Sequence, residues 1–201
     1  ITVKADENGQ AVFNGATLGG EPGNPYLPME TITILLPPDA DPATVKITLF
    51  QPIHQDVAGV FNVKPAPPVM VTSSSQQFWP MESIIANGRN QLVYQNDQPF
   101  PKNNLGKISA GQKRKWVLAE IAIYPYQYNP VKRVLRRLSD GKLIVNYENL
   151  SAPKVNSSYK DTISEDLKAE VAKKAINFND IAPQYEVVKA NHLSYTKQGY
   201  L

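Results

Sequence analysis

Few residues in this 201-residue chain have the type and spacing that chemistry requires. Cysteine is absent, which excludes a thiolate nucleophile, a disulfide framework and cysteine-ligated zinc. The two histidines, His54 and His192, stand far apart, with no helical HxxxH partner and no carboxylate cluster beside them. They read as a side chain packed at a strand end and a residue in a tail. No G-x-S-x-G elbow, P-loop or dinucleotide fingerprint occurs. Gly19-Gly20-Glu21-Pro22-Gly23 is glycine-rich, but proline removes an N–H donor and no helix follows to present an anion site. It reads as a turn. Asp39 and Asp41 could ligate calcium together with backbone carbonyls, yet Asp-Ala-Asp-Pro is more often an ordinary turn. No cofactor is implied.

Two binding candidates remain. Tyr124, Tyr126 and Tyr128 alternate and could stack against sugar rings; the competing reading is cross-strand packing with a hydroxyl bond at a corner. The basic segment from Gly106 carries Lys107, Lys113, Arg114 and Lys115 just before a central strand. On residue types alone it is a solvated loop whose lysines keep an edge from pairing with other chains. The functional alternative is a protruding arm that offers a basic side chain to a partner's acidic pocket.

The elements that must position these residues are mostly strands. From Trp116 to Asn149, Val117, Ala119, Ile121 and Ile123 alternate, as do Leu143, Val145 and Tyr147. Between them YPYQYNP reads as a proline-bounded corner, and Ser139-Asp140-Gly141-Lys142 as a hairpin turn. Earlier, ITVKA and QAVFNGATL flank a turn at Glu7-Asn8-Gly9, and TITILL and VKITLF are further strands. Gln51 to Pro68 reads as a short strand running into a polyproline arm, Gln91 to Gln95 as an edge segment, and Lys102 to Lys115 as loop. After a polar linker, Thr162 and Glu165 suit a capping box, and Ile163, Leu167, Val171, Ala175 and Phe178 form one helix face.

Composition agrees with a folded, β-rich chain: 42% hydrophobic, 19% charged, 17 prolines. A net charge of +3 is too weak and too dispersed to argue for nucleic acid. No window approaches the ~20 apolar residues of a membrane span. The chain opens with Ile1, compatible with removal of a leader.

Three ordered segments resemble the propeptide of gingipain-type cysteine peptidases, the clostripain-like C25 family. These are the Gly19 to Pro28 loop, the Tyr94 to Pro101 segment with its Phe-Pro, and Pro125-Tyr126-Gln127-Tyr128-Asn129-Pro130, the most specific of the three. The terminal helix with Phe178 sits where that family has one. The resemblance implies a non-catalytic prodomain of an exported enzyme. Such a domain blocks the active site of a downstream or cognate cysteine peptidase catalytic domain and assists its folding. It implies secretion, or a periplasmic or cell-surface location. It also implies that the basic loop lies in the specificity pocket, with Arg114 foremost, because a planar guanidinium pairs an acidic pocket floor bidentately. Lys189 and Lys197 are the basic residues near the expected maturation boundary. The expected architecture is an antiparallel β-sandwich, jelly-roll-like, with one C-terminal helix. Residues 1–150 form its core, 151–180 a linker and helix, and 181–201 a tail leading towards a downstream domain. The competing class is a stand-alone extracellular binding module for glycan or surface, or a structural domain of a secretion-associated homologue.

Overall fold

The computed structural model describes residues 1–70, 77–78, 84–150 and 163–185. Strands dominate, in antiparallel sheets, and a helix closes the described chain, as the sequence leads one to expect. In order, the strands are β1 (Thr2–Ala5), β2 (Ala11–Asn14), β3 (Leu18–Gly19), β4 (Leu27–Pro28), β5 (Glu30–Leu36), β6 (Lys46–Val57), β7 (Val69–Met70), β8 (Gln77–Phe78), β9 (Ile85–Ala86) and β10 (Arg89–Asn90). Helix α1 (Gln91–Tyr94) precedes β11 (Leu105–Lys113), β12 (Trp116–Ile123), β13 (Tyr126–Asn129) and β14 (Val134–Asn146); α2 (Ile163–Lys174) and α3 (Phe178–Ile181) follow. The chain divides into two compact units, one of residues 1–30, 49–106 and 122–143, the other of 31–48, 107–121 and 144–201.

In the first unit, β1 and β2 form a hairpin over the expected turn. Asp6 Oδ1 accepts the N–H groups of Asn8 at 2.9 Å and Gln10 at 2.8 Å, and Gly9 takes φ 70°. The corner expected at YPYQYNP is instead a strand. β13 pairs with β14, Tyr128 opposite Leu135, and the reversal falls later, where Arg133 takes φ 58°. All four residues of β13 are buried. Strand propensity in Tyr126 and Tyr128 prevails over the flanking prolines, which bound the strand without interrupting it.

The Asp-Gly hairpin is not formed either. β14 runs straight through Asp140-Gly141 beside β6, and Ser139 Oγ donates to the Ile53 carbonyl at 3.1 Å. Gly141 serves close approach: a Cβ there would stand 2.9 Å from Leu49 Cδ1. β6 runs from Lys46 to Val57 and so joins the VKITLF strand to the short strand expected after it, with Gln51 at φ 47° inside it. The segment expected as an edge at Gln91 to Gln95 is instead a helical turn, Gln91–Tyr94: Asn90 Oδ1 accepts the Leu92 N–H at 3.1 Å as an N-cap. Leu27, Phe61, Val63, Tyr128 and Leu135 form this unit's core.

In the second unit, β12 lies between β11 and β5. β11 occupies most of the segment expected to be loop. Its glycines, serine and lysines hide a weak alternation in which Ile108 and Ala110 are half-buried while Lys107 and Ser109 are exposed. It is an edge strand, where lysine discourages further pairing. The opposite edge, β5, is covered by the chain that leaves α2. Asn177 Oδ1 accepts the Leu35 N–H at 2.8 Å, its Nδ2 donates to the Leu35 carbonyl at 2.8 Å, and the Ile176 N–H reaches the Thr33 carbonyl at 3.1 Å. One asparagine side chain thus stands in for a neighbouring strand. Val171 and Ala175 of the predicted helix face are buried against Leu35 and Trp116, with Leu167 and Phe178 packed alongside; each such large apolar side chain contributes roughly 2 kcal/mol. α3 is an additional short helix. Thr162 and the Glu165 side chain of the expected capping box lie outside the described residues, as do Trp79, Lys189, His192 and Lys197.

Candidate functional site

The basic segment ends in a hairpin whose tip is two residues long. β11 closes at Lys113, Arg114 and Lys115 turn, and β12 begins at Trp116. Arg114 takes φ 53° and is exposed. The first central residue of a two-residue hairpin ordinarily has positive φ, so glycine, asparagine or aspartate is favoured there. An arginine in that conformation costs roughly 1 kcal/mol more than those residues, by the general penalty for non-glycine left-handed backbone.

The roots of the tip are firmly held. Lys113 Nζ lies 2.9 Å from Glu170 Oε2 and 3.1 Å from Oε1, and Lys174 Nζ bonds the same carboxylate at 2.8 Å. The hydrogen bonds from Lys174 and then Lys113 hold the Glu170 carboxyl down at about 2. On the other shoulder, the Lys115 ammonium sits 4.6 Å from the centre of the Trp116 ring. Trp116 is 1% exposed; its ring centre is 4.7 Å from that of Tyr185 and 5.7 Å from that of Phe178. The Tyr185 hydroxyl donates to the Leu36 carbonyl at 2.6 Å and accepts the Val117 N–H at 2.9 Å. Burial pushes that phenol up to about 12. Edge strand, buried tryptophan and C-terminal helices thus meet at the two residues that flank the tip.

Lys107 is not at this tip. It is exposed on β11, six residues from Lys113, about 20 Å away along an extended strand.

The tyrosines do not form a sugar platform. Tyr126 is 2% and Tyr128 3% exposed, so their ring faces are turned into protein. The Tyr126 hydroxyl donates to the Ile1 carbonyl at 3.2 Å and its ring meets Phe13 edge-on at 5.5 Å; the Tyr128 hydroxyl donates to the Phe61 carbonyl at 3.0 Å. Tyr124 is half-buried, and burial raises its phenol above the ordinary range. The polar members of the same motif are structural too. Gln127, 1% exposed, donates from Nε2 to the Pro101 carbonyl at 2.7 Å and accepts Arg136 Nε–H on Oε1 at 2.7 Å. Asn129 Nδ2 donates to Asp97 Oδ1 at 2.8 Å, and Asn129 Oδ1 accepts the Lys132 N–H at 2.9 Å. The Gln-Tyr-Asn-Pro signature is a buried hydrogen-bond knot.

Asp41 Oδ1 accepts the Ala43 N–H at 3.0 Å and caps a turn of 3-10 helix; the Asp39 carbonyl accepts the Leu150 N–H at 2.7 Å. Among the described residues no three His, Asp or Glu side chains converge on a metal position. His54 lies within β6, not at its end, and its Nε2 is 2.8 Å from Asn104 Oδ1. Among the described residues no helix is long and apolar enough to cross a membrane.

Sequence reasoning passed over one hairpin. Asn87-Gly88, with φ 49° and 71°, turns β9 into β10, and Asn-Gly between Ile85-Ala86 and Arg89 is the signal that marks it.

The fold has known counterparts. A solved structure concerned with the zymogenic latency of gingipain K from Porphyromonas gingivalis is 20% identical, with a TM-score of 0.50 over 74% of this chain and 80% of that one. A complex of the pro- and mature domains of RgpB from the same organism is 17% identical, with a TM-score of 0.57 over 89% of this chain and 86% of that one. At such identities the likeness is one of fold. No curated protein matches the chain. The Propeptide_C25 family model matches residues 6–185, nearly the whole described chain. On that match over most of its length, the chain belongs to the Propeptide_C25 family.

Proposed function

We propose that this chain is the non-catalytic prodomain of an exported C25 cysteine peptidase, that it inhibits the peptidase by occluding its active-site cleft, and that it assists the folding of that catalytic domain. The β11–β12 hairpin is the inhibitory element. Arg114 enters the acidic specificity pocket, with Lys113 and Lys115 at the pocket's rim.

The observation that carries this reading is an arginine held at positive φ on an exposed two-residue tip. The local backbone favours another residue there, so the side chain itself is what is being kept. The anchored shoulders support it further: a pre-organised tip loses little entropy on docking. The RgpB precedent, a complex of pro- and mature domains, supports a catalytic domain as the partner.

The test is the mode of inhibition. The whole chain, added to a C25 peptidase that cleaves after Arg or Lys, should raise KM without lowering kcat. It should also be displaced by a small active-site-directed inhibitor that fills the specificity pocket. Inhibition that lowers kcat alone, or binding indifferent to the occupied pocket, contradicts cleft occlusion.

A further inference from the structure

The first unit carries a cleft that no part of the inhibitory reading uses. Its volume is about 630 Å³, and its lining includes Arg89, Arg133, Tyr94, Asn62, Asn87 and Gln91. Among the described residues that line it, two are cationic and none is acidic. Among the described residues, no carboxylate pairs with either guanidinium.

Both arginines are positioned by structure around them. The Arg89 guanidinium stands 5.0 Å from the centre of the Tyr94 ring, and the Tyr94 hydroxyl donates to the Val63 carbonyl at 3.0 Å, which fixes the ring. Arg133 sits at φ 58° in the β13–β14 reversal, and its carbonyl accepts the Phe61 N–H at 2.7 Å. The two charges act on one point. Burial raises the Tyr128 phenol, and Arg133 and Arg89 both oppose that rise. Two guanidiniums at one space of mixed polar and apolar lining are suited to an oxyanion, which each can bind through paired N–H groups.

The size of the space selects the ligand. About 630 Å³ corresponds to roughly twenty waters at ~30 Å³ each, more than a lone phosphate or sulfate fills. It falls within the ~300–1,000 Å³ of clefts that hold drug-sized ligands, room enough for a few residues of a peptide. The lining also includes the side-chain amides of Asn62 and Asn87, which carry both donors and acceptors for a peptide backbone, whereas Gln91 Nε2 donates to the Ala86 and Arg89 carbonyls and Gln91 Oε1 accepts from Gln95. We infer that this cleft binds an acidic peptide segment, with Arg89 and Arg133 holding a carboxylate and the amides pairing with the segment's main chain. The inference stands apart from the inhibitory tip, whose residues Lys113, Arg114 and Lys115 belong to the other unit.

The experiment is fluorescence anisotropy with the whole chain and a labelled five-residue peptide of alternating Glu and Gly. A second peptide carries Gln in place of Glu. Binding of the acidic peptide should exceed that of the neutral one by about tenfold or more, the worth of a charged hydrogen bond. Arg89→Gln and Arg133→Asn should each remove most of that difference. Asn suits the left-handed backbone at residue 133, so the second variant loses the guanidinium while the turn is eased. Equal binding of the two peptides overturns the proposal, as does unchanged binding by both variants once circular dichroism shows them folded. Displacement of the peptide by equimolar inorganic phosphate, or by vesicles of anionic phospholipid, also overturns it, in favour of a small-anion or lipid-surface site.

Discussion

Lys113 and Glu170 are 57 residues apart in sequence and 2.9 Å apart in the structure, joined by an ion pair between the last residue of β11 and the middle of α2. That pair, shared with Lys174, ties the root of the basic hairpin to the C-terminal helix. It is exposed, so its value lies in orienting the tip more than in stabilising the fold.

This contact predicts a pH dependence. The Glu170 carboxyl is held at about 2 against an ordinary 4.5. A depressed folded-state value contributes stability above pH 4.5, and that contribution is lost as pH falls towards 2. Asp97 is lowered in the same sense by Asn129 and then Lys132. Thermal melts of Glu170→Gln should show a flatter decline than the parent between pH 4.5 and 2. Identical slopes would remove the pair from the account.

The Tyr185 hydroxyl serves two backbone groups, the Leu36 carbonyl and the Val117 N–H. Tyr185→Phe keeps the ring against Trp116 and strands both groups. The expected loss is about 2 kcal/mol, the usual cost of unsatisfied buried partners, read by urea denaturation. The phenol is raised from 10 to about 12, so its contribution is present below pH 10 and lost as pH rises through 12. An unchanged denaturation midpoint for Tyr185→Phe would show that these bonds contribute no net stability.

Asn177 closes the free edge of β5 with paired bonds to Leu35. Asn177→Ala should cost about 1–2 kcal/mol and expose that edge. Hydrogen exchange of the Leu35 amide reads this directly: faster exchange than in the parent is expected, and equal protection would contradict the edge-covering role.

Gln127 is the centre of the buried knot. Gln127→Leu matches its shape but leaves the Pro101 carbonyl and the Arg136 Nε–H without their partners, for an expected loss of about 2–3 kcal/mol. A melting temperature equal to the parent's would show that the motif is kept for some other reason.

The sequence revealed class and missed register. TITILL, VKITLF and the alternation from Val117 announced strands because apolar and polar residues exchange every second position. β11 was hidden because an edge strand facing solvent needs little hydrophobicity. β13 was hidden because prolines frame its four residues, so that a short alternating Tyr-Gln-Tyr-Asn run reads as a corner. Asp140-Gly141 misled because the glycine answers to Leu49 across the sheet, a contact that no local pattern encodes. The basic tip was legible as a cluster. Its geometry was not, since positive φ at Arg114 and the Trp116 anchor depend on long-range packing. Arg89 and Arg133, 44 residues apart, carry no shared local signal at all.

The central claim is that one side chain at the hairpin tip supplies the inhibitory contact, and Arg114→Asn tests it most directly. Asparagine tolerates the positive φ, so the variant should melt within a few degrees of the parent. Its inhibition constant against an Arg- or Lys-cleaving C25 peptidase should rise about 30-fold or more, the consequence of breaking a buried charge pair worth roughly 2–5 kcal/mol. An inhibition constant equal to the parent's, in a variant with an unchanged melting temperature, would contradict it.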